Sequence, residues 1–215
     1  MIGKALILAA AAAIVAVGWA KHESRIHEQD RLAKIASAIA GRPVGVRCPS
    51  FLGALVDVHG EAGSVRFDEA GHPANVTNLA PDTCNELRHF SHVDFSCLDL
   101  HACGFPQFAA GWAAHTLAHE SFHLRGFEDE GVTECYAMQN AAFVAERLGL
   151  SRRLAQELQR WIFDKGFRNE PTDYQSPLCS RGGPLDLTPQ TSSFDQAEDN
   201  GGNHRQCSGD VCESR

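Results

Sequence analysis

Apolar residues in this chain are continuous at the start, spaced at helical intervals through most of the remainder, and alternate like a strand in one stretch between. Ala5 to Ala20 is a run of sixteen residues without a charge, bracketed by Lys4 and Lys21. A positive start followed by an apolar core is the pattern of an export segment. Its length lies between a cleaved signal and a membrane span of about 20 residues. Residues 1–21 are therefore expected to be a signal peptide or, with Trp19 and Lys21 at an interface, a signal anchor.

Residues 22–41 continue as a polar amphipathic helix with Ile26, Leu32, Ile35 and Ile39 on one side, which reads as a stalk ended by Gly41-Arg42-Pro43. From Val44 to Leu79 the spacing shortens. Residues 54–58 and 64–67 are expected to pair as strands across the turn His59–Gly63. A short helix from Pro81 to Phe90 leads to a long one from about Pro106 to Arg125, with Phe108, Trp112 and Leu117 on its buried side. Gly126 ends that helix and Asp129 caps the next, Glu130 to Leu148, so the two form an antiparallel pair. A third helix runs from Ser151 to Phe167 with Leu154, Leu158, Trp161 and Ile162 at core spacing. After Pro171 the chain turns rich in Gly, Pro, Ser and Asp, and residues 171–215 are expected to be a partly disordered tail. The resulting expectation is an α+β fold in one domain, residues 42–170: a small N-terminal β-hairpin region packed with a helical hairpin and a third helix.

Charge and cysteine usage refine this picture. A net charge of −8 argues against nucleic-acid binding, which needs clustered basic residues, and leaves the oligomeric state open. The eight cysteines, at 48, 84, 97, 103, 135, 179, 207 and 212, contain no Cys-x-x-Cys pair. They point to a disulfide framework outside the cytoplasm, either membrane-anchored or secreted.

The chemistry concentrates in His119-Glu120-Ser121-Phe122-His123. On a helix this places two imidazoles one turn apart with a carboxylate beside them, half of a tetrahedral zinc site. Glu120 would serve as general base towards a water on the ion. The third ligand should lie about as far after the turn as the histidines lie before it. That spacing favours Glu134, with Glu130 the close alternative and Asp129 more remote. His115 continues the stripe one turn back, where it suits a supporting or packing role, and His89, His92 and His101 suit solvated or structural roles. Tyr136 and Tyr174, the only tyrosines, are candidates for an oxyanion donor, with Tyr136 equally suited to the core.

Over residues 112–143 the chain resembles the zincin metallopeptidases. Glu134-Cys-Tyr-Ala137 is similar to the Glu-x-x-Ala pattern of the gluzincin glutamate helix, and Asp129-Glu130-x-x-Thr133-Glu134 to its Asn-Glu-x-x-Ser-Asp form. His119-Glu-x-x-His123-x-x-Gly126-x-x-Asp129 also looks like a metzincin variant, but the methionine turn of that group has no counterpart, since the only methionines are Met1 and Met138. The resemblance implies a minimal gluzincin: a zinc-dependent hydrolase of peptide or protein substrates. The alternative is a disulfide-stabilised envelope binding domain whose HExxH helix is structural or inactive.

Overall fold

The computed structural model describes Trp19 and residues 23–49, 62–100 and 102–188. The apolar segment 5–20 apart from Trp19, the predicted strand 54–58, His101, Cys207 and Cys212 lie outside the described residues. Among those described, no helix is long and apolar enough to cross a membrane.

Helix α1 covers 23–40, β1 is Gly45–Arg47, β2 Gly63–Phe67, β3 Pro73–Leu79 and α2 Pro81–His89. Then follow α3, Phe105–Arg125, α4, Glu130–Arg147, and α5, Arg152–Lys165, with short 3-10 turns before α3 and after α5. The architecture is α+β, as the hydrophobic spacing predicts. Differences lie at the edges of the domain. The C-terminal half of the predicted stalk belongs to the core: Leu32, Ile35, Ala36 and Ile39 are buried, and the Arg31 guanidinium donates to Leu87 O at 3.1 Å. Its first turn is freer, with Ile26 exposed.

The sheet runs β1-β3-β2, with β1 parallel and β2 antiparallel to β3, and Val46 and Val65 both opposite Thr77. The hairpin thus joins 63–67 to the residues after it, 73–79. Asp68 makes the turn, its Oδ1 accepting from Ala70 and His72 N–H at 2.9 and 2.8 Å, and Gly71 takes the left-handed φ of 78°.

The core centres on α3, which touches the sheet, α2, α4 and α5. Small residues allow this crowding: a Cβ on Gly111 would stand 2.8 Å from Ile162 and 2.9 Å from Leu158 of α5. Arg42 ties α3 to β3, donating to Leu124 O at the end of α3 at 2.7 Å, to Ala74 O at 3.0 Å and to Asn75. Among the described residues three disulfides, Cys48–Cys84, Cys97–Cys103 and Cys135–Cys179, brace the domain. Through the last of these the domain extends past Pro171 to Thr188. Gln139 of α4 also holds that segment, donating to Leu185 O and accepting from Leu187 N–H, both at 2.8 Å.

Candidate metal centre

Gly126 stops α3 by adopting φ of 112°, and its N–H caps His123 O at 2.9 Å. Three residues later Asp129 opens α4, accepting from Val132 N–H at 2.8 Å. Asp129 is thereby occupied as a helix cap. The reversal sets Glu130 and Glu134 beside the histidines of α3.

His119 Nε2 and His123 Nε2 lie 2.9 Å apart, and Glu130 Oε2 stands 3.0 and 3.2 Å from them. Hydrogen bonds on the far side of each ring orient both. His123 Nδ1–H donates to Phe127 O at 2.7 Å, and His119 Nδ1–H donates to Glu134 Oε2 at 2.9 Å. Assigned from this network, the tautomers turn both Nε2 lone pairs inward towards the Glu130 oxygen. Three electron-rich atoms so close repel unless a cation lies among them. Zinc bonds of about 2.0–2.1 Å in a tetrahedron set ligand atoms about 3.3 Å apart, close to the spacings here. The buried His/Glu cluster can therefore hold a metal ion.

A second convergent trio shares His119. His115 Nε2 lies 3.0 Å from Glu134 Oε2, so His115, His119 and Glu134 also gather within ligand range of one another. Glu134 therefore meets His119 at the nitrogen opposite the one that faces His123. Among the described residues the trio expected from spacing, His119, His123 and Glu134, does not converge; Glu130 is the acid that meets both HExxH histidines.

Electrostatics follow this geometry. Burial opposes a charge on His119, but Glu130 and Glu134 together overrule it and raise its pKa to about 9. Hydrogen bonds from His119 and His123 lower Glu130 to about 2. Burial works against ionisation of Glu134, yet His115 and His119 bring it down to about 2. Glu120 goes the other way: burial pushes its carboxyl up, with His119 and His123 pulling against it. In the metal-free protein a proton on His119 is the cation that the cluster requires.

Glu120 projects under the sheet. Thr77 Oγ1 lies 3.2 Å from its Oε2 and 3.0 Å from Ser64 O, so the single hydroxyl hydrogen serves one acceptor at a time. A Cβ on Gly63 would come within 2.7 Å of Glu120 Oε1. These two contacts fix the buried carboxylate in the lining of a cleft of about 690 Å³. One wall is β2, from Gly63 to Val65 with Phe67; the other carries Trp112, Glu170, Pro171 and Tyr174. The Tyr174 ring lies 5.8 Å from that of His119, whereas Tyr136 packs against Phe122 and Phe127 at 5.4 and 5.1 Å. His89 sits apart, its Nδ1–H donating to Asn85 O at 2.9 Å, with His92 beside it.

No family model, curated protein or solved structure matches this chain. The site must be read from its own residues. Sequence reasoning missed Gly63 and Glu170, which line the cleft through strand register and the C-terminal segment, and Thr77, which reaches Glu120 from behind it. Cys135, adjacent to Glu134, is the one sequence signal that could have tied that segment to the site.

Proposed function

We propose that the chain is an extracytoplasmic zinc-dependent peptidase whose metal ligands are His119, His123 and Glu130. The observation that carries this reading is the convergence of two inward-facing Nε2 atoms and one carboxylate oxygen within 2.9–3.2 Å, with the Glu120 carboxylate at the same cleft. Zinc held there would polarise the scissile carbonyl and lower the pKa of water to about 7. Glu120 takes the proton from the attacking water and passes it to the leaving amine, and Thr77 steers its carboxylate. Glu134 holds His119 in the ligating tautomer. Of the two tyrosines only Tyr174 lines the cleft, so the role of oxyanion donor falls to it.

The sheet favours a peptide over a compact substrate. β2 is an edge strand whose residues Gly63 to Val65 and Phe67 line the cleft, and its second edge is unpaired among the described residues, so an extended backbone can add to it as a further strand. Three disulfides together with the apolar segment 5–20 support an oxidising compartment outside the cytoplasm.

The test compares zinc content and peptide hydrolysis across variants. Wild type should hold one zinc per chain. His123→Ala and Glu130→Gln should lose it, and Glu134→Gln should retain it with affinity about 10–100-fold weaker. Glu120→Gln should keep zinc while hydrolysis falls about 10²–10⁴-fold. Wild type that takes up no zinc, or a Glu120→Gln variant as active as wild type, would overturn the proposal.

A further inference from the structure

Deep in the cleft, on the side of His119 away from His123, lies a group of side chains that neither metal ligation nor proton transfer uses. Glu134 is only 1 % exposed and His115 only 3 %, yet Glu134 Oε1 and His115 Nδ1 have no hydrogen-bond partner. His115 Nε2, although 3.0 Å from Glu134 Oε2, is out of line for a hydrogen bond. Buried polar groups are rarely left unsatisfied, which points to a partner that arrives with the ligand. Glu170 lines the same cleft and is close enough to Glu134 for their charges to repel. Trp112 and Tyr174 flank these acids, the Trp112 ring 4.6 Å from that of His115. Glu128 adds a further carboxylate to the lining, and none of the described lining residues is Lys or Arg.

We infer that this pocket is a specificity subsite for a basic side chain of the substrate, its ammonium or guanidinium held between Glu170 and Glu134 and its aliphatic stem lying against Trp112 and Tyr174. A cation with several N–H donors satisfies Glu134 Oε1, relieves the repulsion between the two carboxylates and meets an aromatic face. A second metal ion fits the pocket less well. Glu134 already accepts from His119 Nδ1–H, and a metal at that nitrogen would require His119 to ligate through both ring nitrogens. The inference takes from the proposed peptidase activity only that the occupant is a peptide side chain.

Two measurements on the zinc-loaded full chain test it. The first needs no turnover: binding of N-acetyl-arginine amide and N-acetyl-lysine amide, titrated against N-acetyl-norleucine amide and N-acetyl-glutamate amide. At least one basic amide should bind about tenfold more tightly than the norleucine amide, the contribution of one charge-assisted hydrogen bond, and Glu170→Gln should abolish that margin while zinc content stays at one per chain. The second is cleavage of a mixed peptide library. Lys or Arg should be enriched at one position beside the cleaved bond, and Glu170→Lys should shift that position towards Asp and Glu. Equal binding of basic and neutral amides, or a margin unchanged in Glu170→Gln, would overturn the subsite. Uptake of two zinc ions, the second lost in His115→Ala, would overturn it in favour of a metal site. Discriminating binding with no cleavage of any peptide would sustain the subsite and sink the peptidase reading.

Discussion

His119 is engaged on both sides of its ring, by Glu130 and His123 at Nε2 and by Glu134 at Nδ1. Its pKa of about 9 means that the metal-free site carries a proton at neutral pH, and a metal ligand must be unprotonated at the ligating nitrogen. Zinc binding at pH 7 should therefore release about one proton, read as the dependence of the calorimetric enthalpy on buffer ionisation. Release near zero would show that His119 is already neutral in the metal-free protein. Much of this site is legible in the sequence: His119, Glu120 and His123 follow from helical spacing alone. The choice between Glu130 and Glu134 does not, because both acids lie on one face of α4 near the same imidazole. What separates them is which ring nitrogen each meets, a matter of side-chain rotamer that a spacing argument along two helix axes does not reach.

At the scale of elements, helices announce themselves and short strands do not. Pro106, Gly126, Asp129 and Ser151 mark ends that the structure reproduces to within about a residue, since caps are local chemistry. β2 has five residues, and its pairing with β3 depends on the Asp68 turn, so alternation alone points to a hairpin of 64–67 with 54–58 and does not reveal the pairing with 73–79. That pairing bears on the proposed catalysis because it sets Gly63 against Glu120. Gly63→Ala should displace the Glu120 carboxylate and lower hydrolysis at least about tenfold, as misplacement of a catalytic group by 1 Å can cost about 10²-fold. Zinc content should stay at one per chain, since no metal ligand touches Gly63. Unchanged hydrolysis would mean that β2 yields and that the sheet does not position Glu120. The Cys135–Cys179 bridge closes a separation of 44 residues, and replacing both cysteines with alanine should cost about 3–4 kcal/mol in denaturant unfolding. A change below about 1 kcal/mol would show that Gln139 and its neighbours hold the C-terminal segment without help.

For the whole molecule, the site's charges set the pH range in which the metal-free domain is most stable. His119 binds its proton more tightly folded than unfolded, so its contribution is complete below its ordinary value of 6.5 and is lost as pH rises through about 9. Glu130 and Glu134 are depressed from 4.5 to about 2, so theirs is complete above 4.5 and is lost as pH falls towards 2. The metal-free protein should be most stable between about pH 4.5 and 6.5. Glu120 and Glu170, both pushed up by burial, move the optimum to the acidic end of that range. Melting temperatures of chelator-treated protein across pH 3–10 check this, and a maximum above about pH 8 would contradict it.

Under the proposed function, the disulfide beside Glu134 would also set an order of events in the life of the chain. Its partner Cys179 lies in the segment that supplies Glu170, Pro171 and Tyr174 to the cleft, whereas His119, His123 and Glu130 belong to α3 and its junction with α4. A newly made chain in a reducing compartment would thus have its metal ligands before it had a fastened cleft wall. Under the proposed function, oxidation outside the cytoplasm would then complete the substrate-binding side, so that full activity would follow export rather than precede it.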